Sequence, residues 1–260
     1  MRKTMIAGNW KMHLSVQQSS LLVHRLNERV QPHRDIEVVL APSFLALQPL
    51  SLEIDRRKFR LSAQDAYAQD EGPYTGEVSF TMLAGLVHYA IVGHSARRIY
   101  FHETLETIRD KVAASVRNRI TPILCVGETK EERKSGETRQ VLHDQIESAL
   151  AGLTAAEVAK LVVAYEPVWA ISTFDGEIAK PDVVQKEMQF IRRQIADLYG
   201  EKVAEEARVL YGGSVDEFDA RSYMELLGCD GVLVGAASLN YHKFSSIIDS
   251  AYRMLHEGKH

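Results

Sequence analysis

LVVAYEPVWAISTF, residues 161 to 174, opens as a continuous apolar run and brings its strand to an end on a carboxylate. A run without polar alternation suits a strand buried on both faces of a parallel sheet. Pro167 biases the residue before it toward extended geometry, so the chain should leave the strand at Glu166, with that side chain projecting past the sheet edge. From Trp169 onward the chain enters a loop too long to be a turn. Taken alone this is an ordinary strand end whose glutamate meets solvent, and its meaning depends on the rest of the chain.

Working outward, short apolar or β-branched runs recur at residues 4–7, 36–41, 59–63, 89–92, 120–126, 161–165, 208–211 and 231–234. Between them lie stretches of helical period, such as residues 16–30, with Val16, Val23, Leu26 and Val30 on one side, and residues 105–116, with Leu105, Ile108, Val112 and Val116. Eight βα units without Gly/Ser linkers predict an α/β fold, a single-domain (β/α)8 TIM barrel over residues 1–260. With 45% hydrophobic and 25% charged residues, 260 residues suffice for one large core. A net charge of −4 offers no basic patch of the size nucleic acid requires. No apolar run reaches the roughly 18 residues of a membrane span. Two cysteines are too few for a disulfide framework, and no segment resembles a signal peptide, so a soluble protein of a reducing cytoplasm is expected.

In such a barrel the carboxyl ends of all strands meet on one face. The first strand leads into Asn9-Trp10-Lys11, the third into Gln64-Asp65, the fourth into Gly93-His94-Ser95 and the sixth into Glu166. The seventh leads into Gly212-Gly213-Ser214 and the eighth into Gly235-Ala236. Each has an ordinary reading: Lys11 as a surface amine, His94 as a structural histidine, the glycine pair as a turn. Their convergence on one rim argues for a site. A carboxylate can take a proton from carbon only beside a carbonyl that is polarised as charge develops on its oxygen. Lys11 and His94 are candidates for that polarisation. Ser95 is expected to N-cap a short helix whose dipole would keep His94 a neutral donor. The glycine-bearing turns let backbone N–H groups approach an anion, which points to a small phosphorylated carbonyl compound. No zinc-ligand spacing, dinucleotide fingerprint or Walker-type loop is present.

Seven stretches, AGNWKM (7–12), PYTGEVS (73–79), IVGHSARR (91–98), PILCVGET (122–129), AYEPVWAI (164–171), LYGGSV (210–215) and GVLVGAASL (231–239), together resemble the triosephosphate isomerase family from end to end. The resemblance implies an isomerase of glycolysis and gluconeogenesis that interconverts dihydroxyacetone phosphate and D-glyceraldehyde 3-phosphate through an enediolate, without cofactor or metal. It implies Glu166 as the proton shuttle, His94 and Asn9 on the substrate oxygens, and Lys11 as the positive charge for carbonyl and phosphate; these roles come with the family, not from spacing. Ser172, Ser214, Gly235 and Ala236 match its phosphate contacts. Pro167, Val168, Trp169 and Thr173 match its lid, with Trp169 moving toward Glu128 on closure and Tyr211 holding the closed lid through its hydroxyl. Residues 64 to 77 match a loop that inserts into a partner subunit, where Thr75 would buttress the partner's site, so a homodimer is implied. Cys125 matches a buried structural cysteine.

Four departures stand out. Ala96 occupies a position where the family has a glutamate partner for the strand-one lysine, leaving Lys11 to find water, a backbone carbonyl or the substrate. The lid reads Ile171-Ser172-Thr173-Phe174-Asp175-Gly176-Glu177, two residues longer than the family pattern, with its hinge and its tip both altered. Asp175 and Glu177 are expected to point to water, because they would otherwise repel phosphate. Ala236 stands where a second glycine is common. Two alternatives therefore stay open: an isomerase of a four-carbon ketose phosphate, and a non-catalytic phosphate-binding barrel.

Overall fold

The computed structural model describes residues 2–174 and 176–257. Eight parallel strands close into a barrel in chain order: β1 (Thr4–Asn9), β2 (Ile36–Ala41), β3 (Phe59–Ala63), β4 (Tyr89–Val92), β5 (Thr121–Val126), β6 (Val162–Tyr165), β7 (Arg208–Tyr211) and β8 (Gly231–Val234). All eight lie where the apolar runs predict them. β1 continues to Asn9, two residues past the predicted end, because Gly8 and Asn9 pair with Leu40 and Ala41 of β2. The ring closes where Met5 of β1 pairs with Gly231 of β8.

The strands read as unbroken apolar runs because both of their faces are covered. Along β6, Val162 and Ala164 point into the barrel with Met5, Val39, Ile91, Ile123 and Leu210, while Val163 and Tyr165 point outward into the larger core against the helices.

Those helices are α1 (Val16–Arg29), α2 (Phe44–Glu53), α3 (Phe80–Leu83), α4 (Ser95–Tyr100), α5 (Leu105–Arg117) and α6 (Lys130–Lys134). They continue as α7 (Thr138–Leu150), α8 (Ala155–Val158), α9 (Pro181–Tyr199), α10 (Glu201–Glu206), α11 (Ala220–Met224) and α12 (Tyr241–Glu257). Their starts are written locally. Ser15 and Gln18 form a capping box on α1, Thr129 and Glu132 another on α6, and Pro181 opens α9, where the missing N–H costs nothing. Among the described residues no helix is long and apolar enough to cross a membrane.

Candidate active site

Residues from the carboxyl ends of five strands line one pocket of about 400 Å³. It brings together Asn9 at the end of β1 and Lys11 after it, His94 after β4, Glu166 after β6, the Gly212–Ser214 turn after β7, and Gly235 and Ala236 after β8. Ser172 of the lid lines it as well. Five of the six strand ends expected on the rim meet here; Gln64 and Asp65 after β3 do not line the pocket, and Asp65 accepts from Lys111 Nζ at 2.7 Å instead.

Glu166 does not meet solvent: it is 2% exposed. The strand stops one residue earlier, and the Glu166 N–H continues the ladder by donating to Val126 O at 2.7 Å. Gly127 makes this approach possible, since a Cβ there would lie 1.9 Å from Glu166 O. The carboxylate is held by two donors, His94 Nε2 at 3.0 Å from Oε1 and the Ser95 N–H at 3.2 Å from Oε2. Burial alone would raise its carboxyl; the contact with His94, the Ser95 N–H and nearby Lys11 outweigh it and leave the group below the ordinary value of 4.5. Burial, and Glu166 itself, push the neighbouring Cys125 thiol well up, so it stays protonated.

The cap of α4 differs from expectation. His94, not Ser95, is the N-cap: its Nδ1 accepts the Ala96 N–H at 3.1 Å. The ring can do this because an N-cap needs only an acceptor reaching the first turn's free N–H groups. With Nδ1 occupied as acceptor, the ring proton sits on Nε2, facing Glu166. The cap therefore selects the tautomer that can donate into the pocket.

Lys11 sits at φ 51, a left-handed conformation that a non-glycine residue adopts only where its surroundings enforce it. Asn9 Oδ1 accepts the Lys11 N–H at 3.0 Å, and Gln64 Nε2 donates to both Lys11 O and Ala41 O at 2.8 Å. Burial lowers the Lys11 ammonium's pKa, with Glu166 opposing. Among the described residues its Nζ donates to the Thr173 hydroxyl at 3.0 Å.

Around the lid hinge, Trp169 Nε1 donates to the buried Glu128 at 2.8 Å, the Tyr165 hydroxyl donates to the same carboxylate, and Arg133 lies over the Trp169 ring at 4.4 Å. The Val168 N–H donates to Glu128 O, and Pro167 precedes the 3-10 turn Val168–Ala170. Tyr211 stacks on Tyr223, ring centroids 4.2 Å apart. Its buried hydroxyl has no hydrogen-bond partner among the described residues, and neither has the Ser214 hydroxyl. Tyr223, which the sequence did not single out, holds the lid's far end by donating to Ala179 O at 2.8 Å. Glu177 is exposed to solvent outside the pocket, as expected, and pairs there with Lys130 at 2.6 Å; Asp175 lies outside the described residues. Thr75 is exposed on the loop after β3, away from this chain's own pocket.

Sequence reasoning missed Asn240 and Lys243 on the pocket's β8 side. Lys243 is paired with Glu217 at 3.3 Å. Asn240 directly follows the 231–239 stretch and accepts the His242 and Lys243 N–H groups at the start of α12, which sets Lys243 on the helix's first turn beside the pocket. Among the described residues no group of three or more His, Cys, Asp or Glu is placed to hold a metal ion.

A sequence model described as triosephosphate isomerase matches residues 4–251. A triosephosphate isomerase of Citrifermentans bemidjiense is 44% identical over 250 residues, spanning 95% of this chain and 98% of that protein. One of Geobacter metallireducens is 43% identical over 251 residues, 96% of this chain and 99% of the relative. One of Clostridium tetani is 41% identical over 250 residues, 96% and 97% of the two chains.

Proposed function

From a chain that belongs to the triosephosphate isomerase family, we propose a reaction in which Glu166 takes the C1 proton of dihydroxyacetone phosphate and returns it to C2. The chain is an aldose–ketose isomerase of triose phosphates. In this reading His94 Nε2–H donates to the carbonyl oxygen as it becomes an enediolate, then recovers a proton from the C1 hydroxyl. Asn9 holds the substrate oxygens and the Lys11 ammonium balances the charge that develops on them. The backbone N–H groups around Ser214, Gly235, Ala236 and Ser172 receive the phosphate. One C–H and one O–H proton change places, so nothing is consumed. The observation that carries the reading is the buried Glu166 carboxylate, 3.0 Å from a histidine nitrogen whose other nitrogen is already committed as an acceptor. The lid of residues 167 to 178 would close over the phosphate, with the unpartnered Tyr211 hydroxyl available to receive it.

A homodimer is part of the same proposal. Met12 is 95% exposed and Leu45 80%, and both follow the carboxyl ends of neighbouring strands, β1 and β2. Tyr74, Met82 and Phe101, after β3 and β4, extend the apolar run around that side of the rim. Such a face supports burial against a second copy. Glycolysis and gluconeogenesis in the cytoplasm are the context this reading implies.

A coupled assay tests it. Glyceraldehyde 3-phosphate should be turned over at least about 10-fold faster than a four-carbon ketose phosphate, the scale of discrimination a small pocket exerts against one extra carbon. Equal or preferred turnover of the larger ketose would reassign the substrate to the longer lid, and phosphate binding without turnover would make the protein a binding barrel.

A further inference from the structure

Lys11 and the altered lid meet at one contact. The Lys11 backbone is fixed from two sides, by Asn9 Oδ1 on its N–H and by Gln64 on its carbonyl, so only its long side chain has freedom left. That side chain ends on the Thr173 hydroxyl at 3.0 Å. Among the described residues no carboxylate lies within ion-pair reach of it; Glu166 acts on it only as a more distant charge.

Thr173 is itself held in place. The lid turns back on itself through the Phe174 and Gly176 N–H groups, which donate to Ile171 O at 2.9 and 3.1 Å. Phe174 stacks on Tyr100 of α4, ring centroids 5.9 Å apart and planes 26° from parallel. Glu177 ties the following residues to Lys130 of α6. Three anchors thus present one hydroxyl to one ammonium.

We propose that Thr173 is a positioning residue for the reaction: its lid-borne hydroxyl fixes the Lys11 ammonium over the pocket, so that placement of the cation depends on placement of the lid. The proposal rests on the reading of Lys11 as the cation that meets the substrate. An ammonium carries three donors. One spent on Thr173 leaves the others for substrate oxygens, and aims them.

Thr173→Val preserves shape and removes the acceptor. It should raise KM for glyceraldehyde 3-phosphate about 5- to 10-fold, the scale of one charge-assisted hydrogen bond that solvent can reach, with a smaller change in kcat. Thr173→Ser should restore the parent values. In a Lys11→Met background Thr173→Val should add nothing, because its effect is routed through the ammonium, whereas a packing role in the lid would add the same factor to both proteins. Calorimetric binding of inorganic phosphate makes the same comparison where turnover is too slow to measure. Wild-type KM and kcat in Lys11→Met would remove the reading of Lys11 on which the proposal stands. An impaired Lys11→Met with a harmless Thr173→Val, or with equal costs in the two backgrounds, overturns the proposal itself.

Discussion

Glu166 is buried yet charged, and its surroundings say which way its chemistry leans. A buried carboxyl with no donors would be protonated and useless as a base near neutrality; here two hydrogen bonds and a nearby ammonium keep it ionised. Glu166→Gln retains the shape and removes the basicity. It should lower kcat by at least about 10²-fold while leaving phosphate binding nearly unchanged, and a variant with parent turnover would rule out Glu166 as base. The same environment sets the acid limb of kcat/KM. Because the Glu166 carboxyl lies below 4.5 in the free protein, the base stays ready as pH falls through neutrality. The limb should then follow the substrate phosphate, whose second ionisation lies at about 6, with Glu166 adding to the fall only below its own ordinary value. A kcat/KM midpoint at or above about 7 would mean that burial had won over the donors and raised the carboxyl.

At the scale of elements, the loops after the strands differ in how they are held. The lid is pinned at its start by Trp169 on Glu128 and at its end by Tyr223 on Ala179, leaving its middle to Lys11, Tyr100 and Lys130. The loop of residues 64 to 77 is braced for projection. Asp70 takes hydrogen bonds from Arg117 and Asn118 at the end of α5, and Arg117 first among them holds its carboxyl down at about 2. Tyr67 packs on Tyr74 with ring centroids 4.7 Å apart. A loop ordered while exposed is suited to entering a partner. Replacing residues 66 to 74 with a short turn should therefore give monomers of low activity by light scattering and assay, since the partner's loop would no longer order the rim. A fully active monomeric parent would remove the dimer from the proposal.

For the molecule as a whole, the decisive contact is the seam between the first and last strands. Gly231 sits at φ +137 against β1, and a Cβ there would lie 1.9 Å from Met5 O. An alanine at this position meets backbone rather than a side chain that can rotate away, so the seam itself must open. Gly231→Ala should cost about 3 kcal/mol or more, strained backbone and overpacking together. Gly235→Ala, where a Cβ has nothing within 4 Å, should leave stability nearly unchanged. Chemical denaturation of the pair checks this, and equal midpoints would show that the barrel tolerates an open seam.

Strand positions were legible in the chain because a strand covered on both faces can be written only in apolar residues, and the covering helices carry their own period and caps. Asn9, Lys11, His94 and Glu166 were legible for a related reason: each lies at, or within two residues past, a strand's end, and a closed parallel barrel brings every strand's carboxyl end to the same rim. Contacts across that rim were not. That Lys11 finds Thr173 across 162 positions, that Tyr223 reaches Ala179 at the lid's far end, and that Lys243 reaches the pocket all depend on distances between segments remote in the chain. A hydrophobic period encodes which face of a segment is buried, not which side-chain tip it will meet, so the residues of the site are written in the sequence while their distant partners and charge are set only when the barrel closes.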